Sequence, residues 1–452
     1  MKLPERISIT WLKENYRNGN ITPYKVMEEI IKRTEEYEKY NIWIVKPDMK
    51  FIRFYLEQLG SMNYEKKLLW GIPFAIKDNI DLEHIPTTAG CEVYSYLPDD
   101  NASVVERLVR AGAIPVGKTN MDQFATGLVG TRSPYGEVHN SYHEELISGG
   151  SSSGSAVAAA LGMAAFTLGT DTAGSGRVPA ALNNLVGYKS TVGAWPIKGV
   201  VPACASLDCV TVFANSVADA MAVDRIARGI DYEDRWSKDV ERASDALPQV
   251  VYIPEKEPEF YGSFQKEYKR AWEKSQELIK AVNIPVKRVS LEFYNEAAKL
   301  LYDGPCVAER WSDLGDFVQE HPKEIFPVTK TILETGNRPD YSAEYLFQTM
   351  HRLMEYKNKS RKLLQNAIFI FPTCAGTYSR DEVRENPITA NSNMGKYTNH
   401  CNLLDLCAIA IPAGFADEGL PFGITAFGSG SDEHLICGFA AEFEGVNGLS
   451  LR

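Results

Sequence analysis

The stretch ISGGSSSGSAVAAALGMAAFTLGTDTAGSGR, residues 147–177, decides how this chain can fold. Glycine and serine crowd its two ends, whereas residues 156–168 are almost all apolar. Flexible Gly/Ser linkers lack apolar residues to bury, so the stretch is not a linker. A phosphate-binding P-loop needs a lysine after its glycines, and residues 147–177 contain none. The pattern therefore predicts a buried helix of small residues followed by a buried strand.

The same order of elements occurs upstream. Residues 103–113 have the pattern of a helix, and residues 114–120 that of a strand. Residues 70–80 form a short apolar run flanked by turn residues, with Lys77 near its end. Alternating helices and strands predict the α/β class, with a central mixed and largely parallel sheet covered by helices on both faces.

The chain shows no linker and no internal repeat, so we expect residues 1–452 to form a single domain. Late apolar runs at residues 367–373 and 407–415 are expected to return to the sheet built by the earlier strands. From about Val223 to Gly336, between the early and the late strands, charged and aromatic residues become frequent. We therefore expect a core of about residues 20–222 and 365–450, with a helical insertion at about residues 223–364.

The composition excludes several classes of protein. A net charge of −11 argues against nucleic-acid binding, although a local basic pocket for an anionic substrate stays possible. The eight cysteines are scattered without metal-like spacing, which is typical of free thiols in a reducing cytoplasm. The first 20 residues lack the apolar core of a signal peptide, and the long uncharged stretch is too rich in Gly and Ser for a membrane span. We expect a cytoplasmic protein with no membrane partner.

One short motif nominates a nucleophile. Residues 150–154 match G-x-S-x-G, which would make Ser152 the nucleophile and would require partners such as Asp432 and His434. That motif needs a strand directly before it, and residues 140–150 are polar and irregular. The histidines at 139 and 143 lack the H-E-x-x-H order, so no metal site is expected.

Five segments together resemble the amidase signature family of serine hydrolases. In chain order they are GIPFAIKDNI (71–80), VGKTNMDQFATG (116–127), GGSSSGSAVAAALG (149–162), LGTDTAGSGRVPAALNNLVGYKST (168–191) and AIAIPAGFADEGLPFGITAFG (408–428). The resemblance implies the family fold and a catalytic set of Lys77, Ser151 after a cis peptide bond, and the nucleophile Ser175. It implies no cofactor. It also places an oxyanion hole on the amides of Thr172, Ala173, Gly174 and Ser175.

A lysine can serve as the base only if its pKa is lowered, because an ordinary lysine is protonated at neutral pH. Burial disfavours the charged form, and the apolar residues before Lys77 favour such burial. The neighbouring Asp78 would oppose this effect if its carboxylate faced the same way.

Two further segments, VPACASLDCVTVFA (201–214) and LLYDGPCVAERW (300–311), resemble the allophanate hydrolase branch of that family. This resemblance implies a small anionic amide substrate bound by Tyr302 and Arg310, with Gly127 as a weaker candidate. An arginine suits a carboxylate because its planar fork donates two parallel hydrogen bonds.

The branch also implies association with a biotin-dependent urea carboxylase, and we expect a homodimer. We expect the decarboxylating C-terminal domain of that branch to be absent from this chain. Two alternatives stay open: a glutamine amidotransferase subunit or general amidase, and a catalytically idle scaffold subunit.

Overall fold

The computed structural model of this protein describes residues 3–62, 64–302, 304–417 and 419–448. Within these ranges eleven strands form one sheet in the order β1-β3-β2-β4-β6-β5-β10-β11-β9-β7-β8. The strands are β1 Trp43–Val45, β2 Pro73–Lys77, β3 Ile114–Thr119, β4 Phe166–Asp171, β5 Val186–Lys189, β6 Cys209–Ala214, β7 Val250–Pro254, β8 Val286–Val289, β9 Ala367–Pro372, β10 Cys407–Asp417 and β11 Leu420–Gly428.

Sixteen α-helices accompany the sheet in the same described ranges. They are α1 Ile9–Arg17, α2 Pro23–Glu36, α3 Met49–Leu59, α4 Ser103–Arg110, α5 Ser153–Ala160, α6 Val178–Leu182, α7 Val217–Ala227, α8 Gln265–Ala281, α9 Glu292–Tyr302, α10 Val307–Glu320, α11 Pro327–Glu334, α12 Ala343–Leu363, α13 Arg380–Glu385, α14 Pro387–Met394, α15 His400–Leu403 and α16 Glu433–Asn447. No helix in the described part of the chain combines the length and the apolar character needed to cross a bilayer.

The predicted α/β class and mixed sheet are confirmed, but the sheet contains less parallel pairing than predicted. Parallel pairing joins β2 to β3 and β4, and β7 to β8 and β9. The strands between these groups pair antiparallel. One physical reason is the short connection between β10 and β11, since a parallel pair needs a crossover of a dozen or more residues.

Helices cover both faces of the sheet, as expected. Successive residues of a strand point to opposite faces. In β11, the ring of Phe422 packs against Tyr268 of α8 with centroids 5.7 Å apart. A Cβ on the next residue, Gly423, would lie 2.9 Å from the Cβ of Ala181 in α6. The two helices therefore lie on opposite faces.

Close packing explains why positions 153–160 carry small residues. All eight residues of α5 are buried, so this helix has no solvent face. A Cβ at Gly154 would lie 2.3 Å from the carbonyl oxygen of Ile42, so the helix approaches the neighbouring backbone more closely than a larger residue allows. The predicted order of buried helix and then buried strand is confirmed by α5 and β4.

The parallel strands β2 and β4 bring two chemically important positions to one edge of the sheet. Phe74 pairs with Phe166, and Ile76 pairs with Leu168. Lys77 ends β2 and Asp171 ends β4, so both lie at the carboxyl ends of neighbouring parallel strands. Ligand sites in open α/β sheets lie outside the carboxyl ends of the strands.

Residues 223–364 contain α8–α12 and also two strands. Strand β7 pairs in parallel with β9, and β8 pairs with β7, so this segment extends the sheet at its far edge from β1. The division of the chain into a core and an insertion stays a prediction.

Candidate active site

Lys77 is the centre of a buried polar network at the end of β2. Its Nζ donates to the hydroxyl oxygens of Ser151 and Thr170, with both distances 2.7 Å. Burial lowers the pKa of Lys77 to about 7, while the carboxylates of Asp122, Asp208 and Asp171 act in the opposite direction. At neutral pH a substantial fraction of the amine is therefore neutral, which allows it to accept a proton.

The carboxylate of Asp78 does not share this network. Adjacent residues of an extended chain point to opposite sides, and Asp78 Oδ1 lies 3.7 Å from Nζ of the fully buried Lys118. Its other oxygen accepts from the backbone N–H of Thr88 at 3.1 Å. Asp78 is therefore engaged by Lys118 and Thr88. Its carboxylate does not face Lys77, which was the condition under which it would oppose the lowered pKa of that lysine.

Asp122 holds the backbone around Ser151. The peptide bond between Gly150 and Ser151 is cis, as the family resemblance implied. The backbone N–H of Asp122 donates to the carbonyl of Ser151 at 3.0 Å. A Cβ at Gly150 would lie 2.0 Å from Oδ2 of Asp122, so only glycine fits against this carboxylate. The same carboxylate accepts from the N–H groups of Gly130 and Arg132 at 3.1 and 2.9 Å.

Ser152 has a different environment from Ser151. Its hydroxyl donates to the carbonyl of Thr170 at 3.1 Å and accepts from the N–H of the same residue at 3.3 Å. These bonds fasten the beginning of α5 to β4. Ser152 is thus occupied by backbone contacts, which favours Ser151 and Ser175 over the G-x-S-x-G interpretation.

A buried ion pair shapes the loop that follows β4. Arg177 donates through Nε and Nη2 to the two carboxylate oxygens of Asp171 at 2.9 and 2.8 Å. The N–H of Gly176 also donates to Asp171, at 3.0 Å, so the loop returns to the strand from which it came. Burial opposes ionisation of Asp171, but Arg177 outweighs it and holds the pKa of that carboxyl below its ordinary value.

This loop presents backbone N–H groups at the end of β4. Among the described residues, no hydrogen bond uses the N–H of Ala173, Gly174 or Ser175 as its donor. Gly174 has φ of +141°, and a Cβ there would lie 2.2 Å from Oγ1 of Thr398, so glycine is required. The Thr172 hydroxyl donates to the buried carboxylate of Asp208. The loop therefore offers amides suited to an oxyanion.

Ser175 lies in this loop and is nearly buried, with 4% of its surface exposed. Its hydroxyl makes no hydrogen bond with another described residue. The structure thus joins Lys77 directly to Ser151, while the second contact implied by the resemblance, from Ser151 to Ser175, is not formed.

Arg310 is buried in the first turns of α10, with 2% of its surface exposed. Its Nη1 donates to the hydroxyl of Thr126 at 3.0 Å, directly beside Gly127. Burial raises the pKa of Asp208 above its ordinary value, and the charge of Arg310 is among the interactions that oppose this rise. Arg310 is therefore near Gly127 and near Asp208. Asp208 contacts Thr172 in the loop of residues 172–175, called the amide loop below. Tyr302 ends α9, and its side chain lies outside the described residues.

Three residues of the site escaped the sequence analysis: Thr170, Asp122 and Asp208. Asp122 and Thr170 lie within segments that carry the family resemblance, but nothing local marks their contacts with Ser151 and Lys77. The one available signal is a carboxylate inside an otherwise apolar or Gly-rich segment, since buried charges need partners.

The mixed α/β sheet, with a buried lysine, serines and a glycine-bearing loop at one edge, has the arrangement of an amidohydrolase. The chain belongs to the Amidase family, whose model matches residues 25–437.

Several relatives agree with this membership. Urea amidolyase of Saccharomyces cerevisiae is 38% identical over 443 residues, covering 96% of this chain and 24% of that protein. A glutamyl-tRNA(Gln) amidotransferase component from Lactobacillus johnsonii is 29% identical, covering 94% of this chain and 93% of that protein. A solved structure of Kluyveromyces lactis allophanate hydrolase superposes with a TM-score of 0.90 at 36% identity, covering 97% of this chain and 72% of that one. The chain thus spans 24% of the length of the urea amidolyase that it matches.

We expect loss of the buried ion pair between Asp171 and Arg177 to lower the stability of the protein strongly. Replacing Arg177 by Met leaves the Asp171 carboxylate buried without its counter-charge, and breaking a buried pair in this way costs about 3–5 kcal/mol. We expect Arg177→Met to lower the free energy of unfolding by this amount in urea denaturation at pH 7.

Arg338→Met is the control, because its pair with Asp340 is solvent-exposed, and we expect no measurable change. The difference between Arg177→Met and wild type should diminish on acidification. The lowered pKa of Asp171 means that its stabilising contribution is present above the unfolded pKa and is lost as the pH falls through the folded pKa. A loss below about 1 kcal/mol at pH 7, or one independent of acid pH, contradicts this role of the pair.

Proposed function

We propose that this chain hydrolyses the amide C–N bond of allophanate, urea-1-carboxylate, and releases ammonia as the second step of ATP-dependent urea degradation. The observation that carries the proposal is the 2.7 Å hydrogen bond between the buried Lys77 amine and the Ser151 hydroxyl. The similarity to urea amidolyase and to allophanate hydrolase supports the choice of substrate.

Lys77 acts as the base and Ser151 as the relay. A serine hydroxyl is a weak nucleophile until a base removes its proton. Neutral Lys77 takes the proton of Ser151, which takes the proton of Ser175 as Ser175 Oγ attacks the ureido carbonyl carbon. This requires the side chain of Ser175 to turn towards Ser151 when substrate is bound, since catalytic hydrogen bonds in unliganded sites often tighten only in the complex.

The amide loop stabilises the charge that develops. Attack places negative charge on the carbonyl oxygen, and preorganised N–H donors lower the energy of that state. The N–H groups of Thr172, Ala173, Gly174 and Ser175 form the oxyanion hole. When the intermediate collapses, the C–N bond breaks and the proton returns through Ser151 to the leaving nitrogen, so ammonia departs. Water then hydrolyses the acyl-enzyme to N-carboxycarbamate.

Arg310 selects the anionic substrate. A buried guanidinium binds a carboxylate more strongly than an exposed one because water competes less. Thr126 fixes one Nη of Arg310, and Gly127, the weaker candidate by resemblance, offers a backbone group beside the substrate. Tyr302 is the second binding residue by resemblance to the allophanate hydrolase branch.

We further infer a covalent or functional association with a biotin-dependent urea carboxylase that supplies allophanate. The support is that this chain corresponds to 24% of the length of the yeast urea amidolyase. A homodimer in the cytoplasm stays a prediction.

The nucleophile is tested by substitution. We expect Ser175→Ala to lower ammonia release from allophanate by at least about 10³-fold, because the acyl-enzyme cannot form. Ser153→Ala is the matched control: the same atom is removed from a neighbouring buried serine, whose hydroxyl makes a long hydrogen bond of 3.5 Å to the carbonyl of Asn120. Retained activity in Ser175→Ala rules out the assignment, and failure of a fluorophosphonate to label wild-type Ser175 favours the idle-scaffold alternative.

The pH dependence of the acylation rate reports on Lys77. Because the proposed base is the neutral amine and its pKa is about 7, the rate should rise about tenfold per pH unit below pH 7 and level off above it. Single-turnover labelling of Ser175 between pH 5.5 and 9 measures this curve. Lys77→Met should remove the dependence along with most of the rate. A flat wild-type profile between pH 6 and 8 excludes Lys77 as the base.

Arg310 is tested by comparing two amides of similar size. In biuret a carboxamide replaces the carboxylate of allophanate. We expect Arg310→Met to lower kcat/KM for allophanate by roughly 10–100-fold, the loss of a charged hydrogen-bonded contact, with a smaller loss for biuret. Arg235→Met, an exposed arginine, is the control. Efficient turnover of glutamine, with little effect of Arg310→Met, supports the amidotransferase alternative instead.

A further inference from the structure

Glu309, the residue before Arg310, accepts hydrogen bonds from the loop of residues 203–208. Its Oε1 accepts from the N–H of Ser206 at 2.7 Å, and its Oε2 accepts from the Ser206 hydroxyl at 2.6 Å. Sγ of Cys204 lies 3.0 Å from the same Oε2. Three donors of a single loop thus converge on one carboxylate, which is half-buried.

The loop of residues 203–208 also contacts the amide loop, whose N–H groups are proposed to bind the oxyanion. Asp208 Oδ2 accepts from the N–H groups of Ala203 and Cys204 at 2.8 and 3.1 Å. Its Oδ1 accepts from the hydroxyl of Thr172. Residues 203–208 therefore touch the Arg310 helix through Glu309 at one point and the amide loop through Asp208 at another.

The first turn of α10 has backbone hydrogen bonds, from Ala308 to Pro305 and from Glu309 to Cys306, but no side-chain cap. Its N-cap residue is Cys306, which makes no side-chain capping bond. The first N–H groups of a helix have no partner inside the helix, so uncapped starts are prone to fray. Glu309 lies in this first turn, and its contacts with Ser206 hold the turn against the loop of residues 203–208.

We propose that Glu309 is a positioning residue that sets the place of Arg310 relative to the amide loop, and thereby the preference for a carboxylate-bearing amide. This inference rests on the proposed function. Two of the contacts that place Arg310 are described: Thr126 accepts from one Nη of the guanidinium, and Glu309 holds the backbone turn from which the side chain extends. A shift of about 1 Å in a substrate-orienting group can lower a rate by about 10²-fold.

The test compares allophanate with biuret in Glu309 variants. Glu309→Ala removes the acceptor for Ser206, and we expect the KM for allophanate to rise about tenfold while the KM for biuret stays within about twofold. Any fall in kcat should be the same for both substrates, because both use the amide loop. Glu309→Gln keeps an acceptor for the Ser206 N–H and should recover most of the wild-type KM.

Two further variants separate this role from general damage. Ser206→Ala removes the hydroxyl at the other end of the contact and should raise the allophanate KM in the same direction. Combined with Glu309→Ala it should add little, since the two residues share one interaction. Asp313→Asn is the matched control, because it removes an exposed carboxylate one turn further along α10. It should leave both KM values unchanged.

The outcomes are distinct. Wild type that releases no ammonia from allophanate overturns the proposed function and this inference with it. Wild-type turnover together with an unchanged allophanate KM in Glu309→Ala overturns the positioning role alone. Equal rises in KM for allophanate and biuret also overturn it, because a merely structural role affects both substrates alike. If Glu309→Ala does not fold, Ser206→Ala decides by the same comparison.

Discussion

The site depends on a lysine amine enclosed in the protein interior between two hydroxyl groups. Burial removes the water that would stabilise the charged form of Lys77, and the pKa falls to about 7. The hydroxyls of Ser151 and Thr170 replace that water without adding a negative charge. This arrangement needs β2 and β4 as parallel neighbours, because only then do Lys77 and Thr170 meet at one edge of the sheet.

Two carboxylates near this amine pair with other cations, whereas those of Asp122 and Asp208 accept from backbone N–H groups. Asp78 lies beside Lys118, and Asp171 pairs with Arg177. A buried carboxylate with no such partner would draw its stabilisation from the nearest available cation and would favour the protonated amine. The two pairs also anchor the segments that follow β2 and β4, so the same contacts serve both the electrostatics and the shape of the site.

The proposed substrate-binding side of the site is built from more distant parts of the chain. Arg310 reaches Thr126 across 184 residues of sequence, and Glu309 reaches Ser206 across 103. The short loop of residues 203–208 links these contacts to the amides after β4 through Asp208. The proposed carboxylate-binding residue and the proposed oxyanion hole are therefore linked by one connected set of contacts rather than standing as two independent sites.

The sequence by itself determined the local elements: the buried strand that ends at Lys77, the small-residue helix α5 and the strand after it. Their apolar patterns report burial directly. The resemblance to a family nominated Ser151 and Ser175, and it implied the cis bond before Ser151. Only the tertiary structure decided which partners meet Lys77, where Asp78 turns, that Arg310 is buried, and that the central strands pair antiparallel. Each of these depends on how elements far apart in the chain are stacked, and periodicity along the chain contains no information about pairing across it.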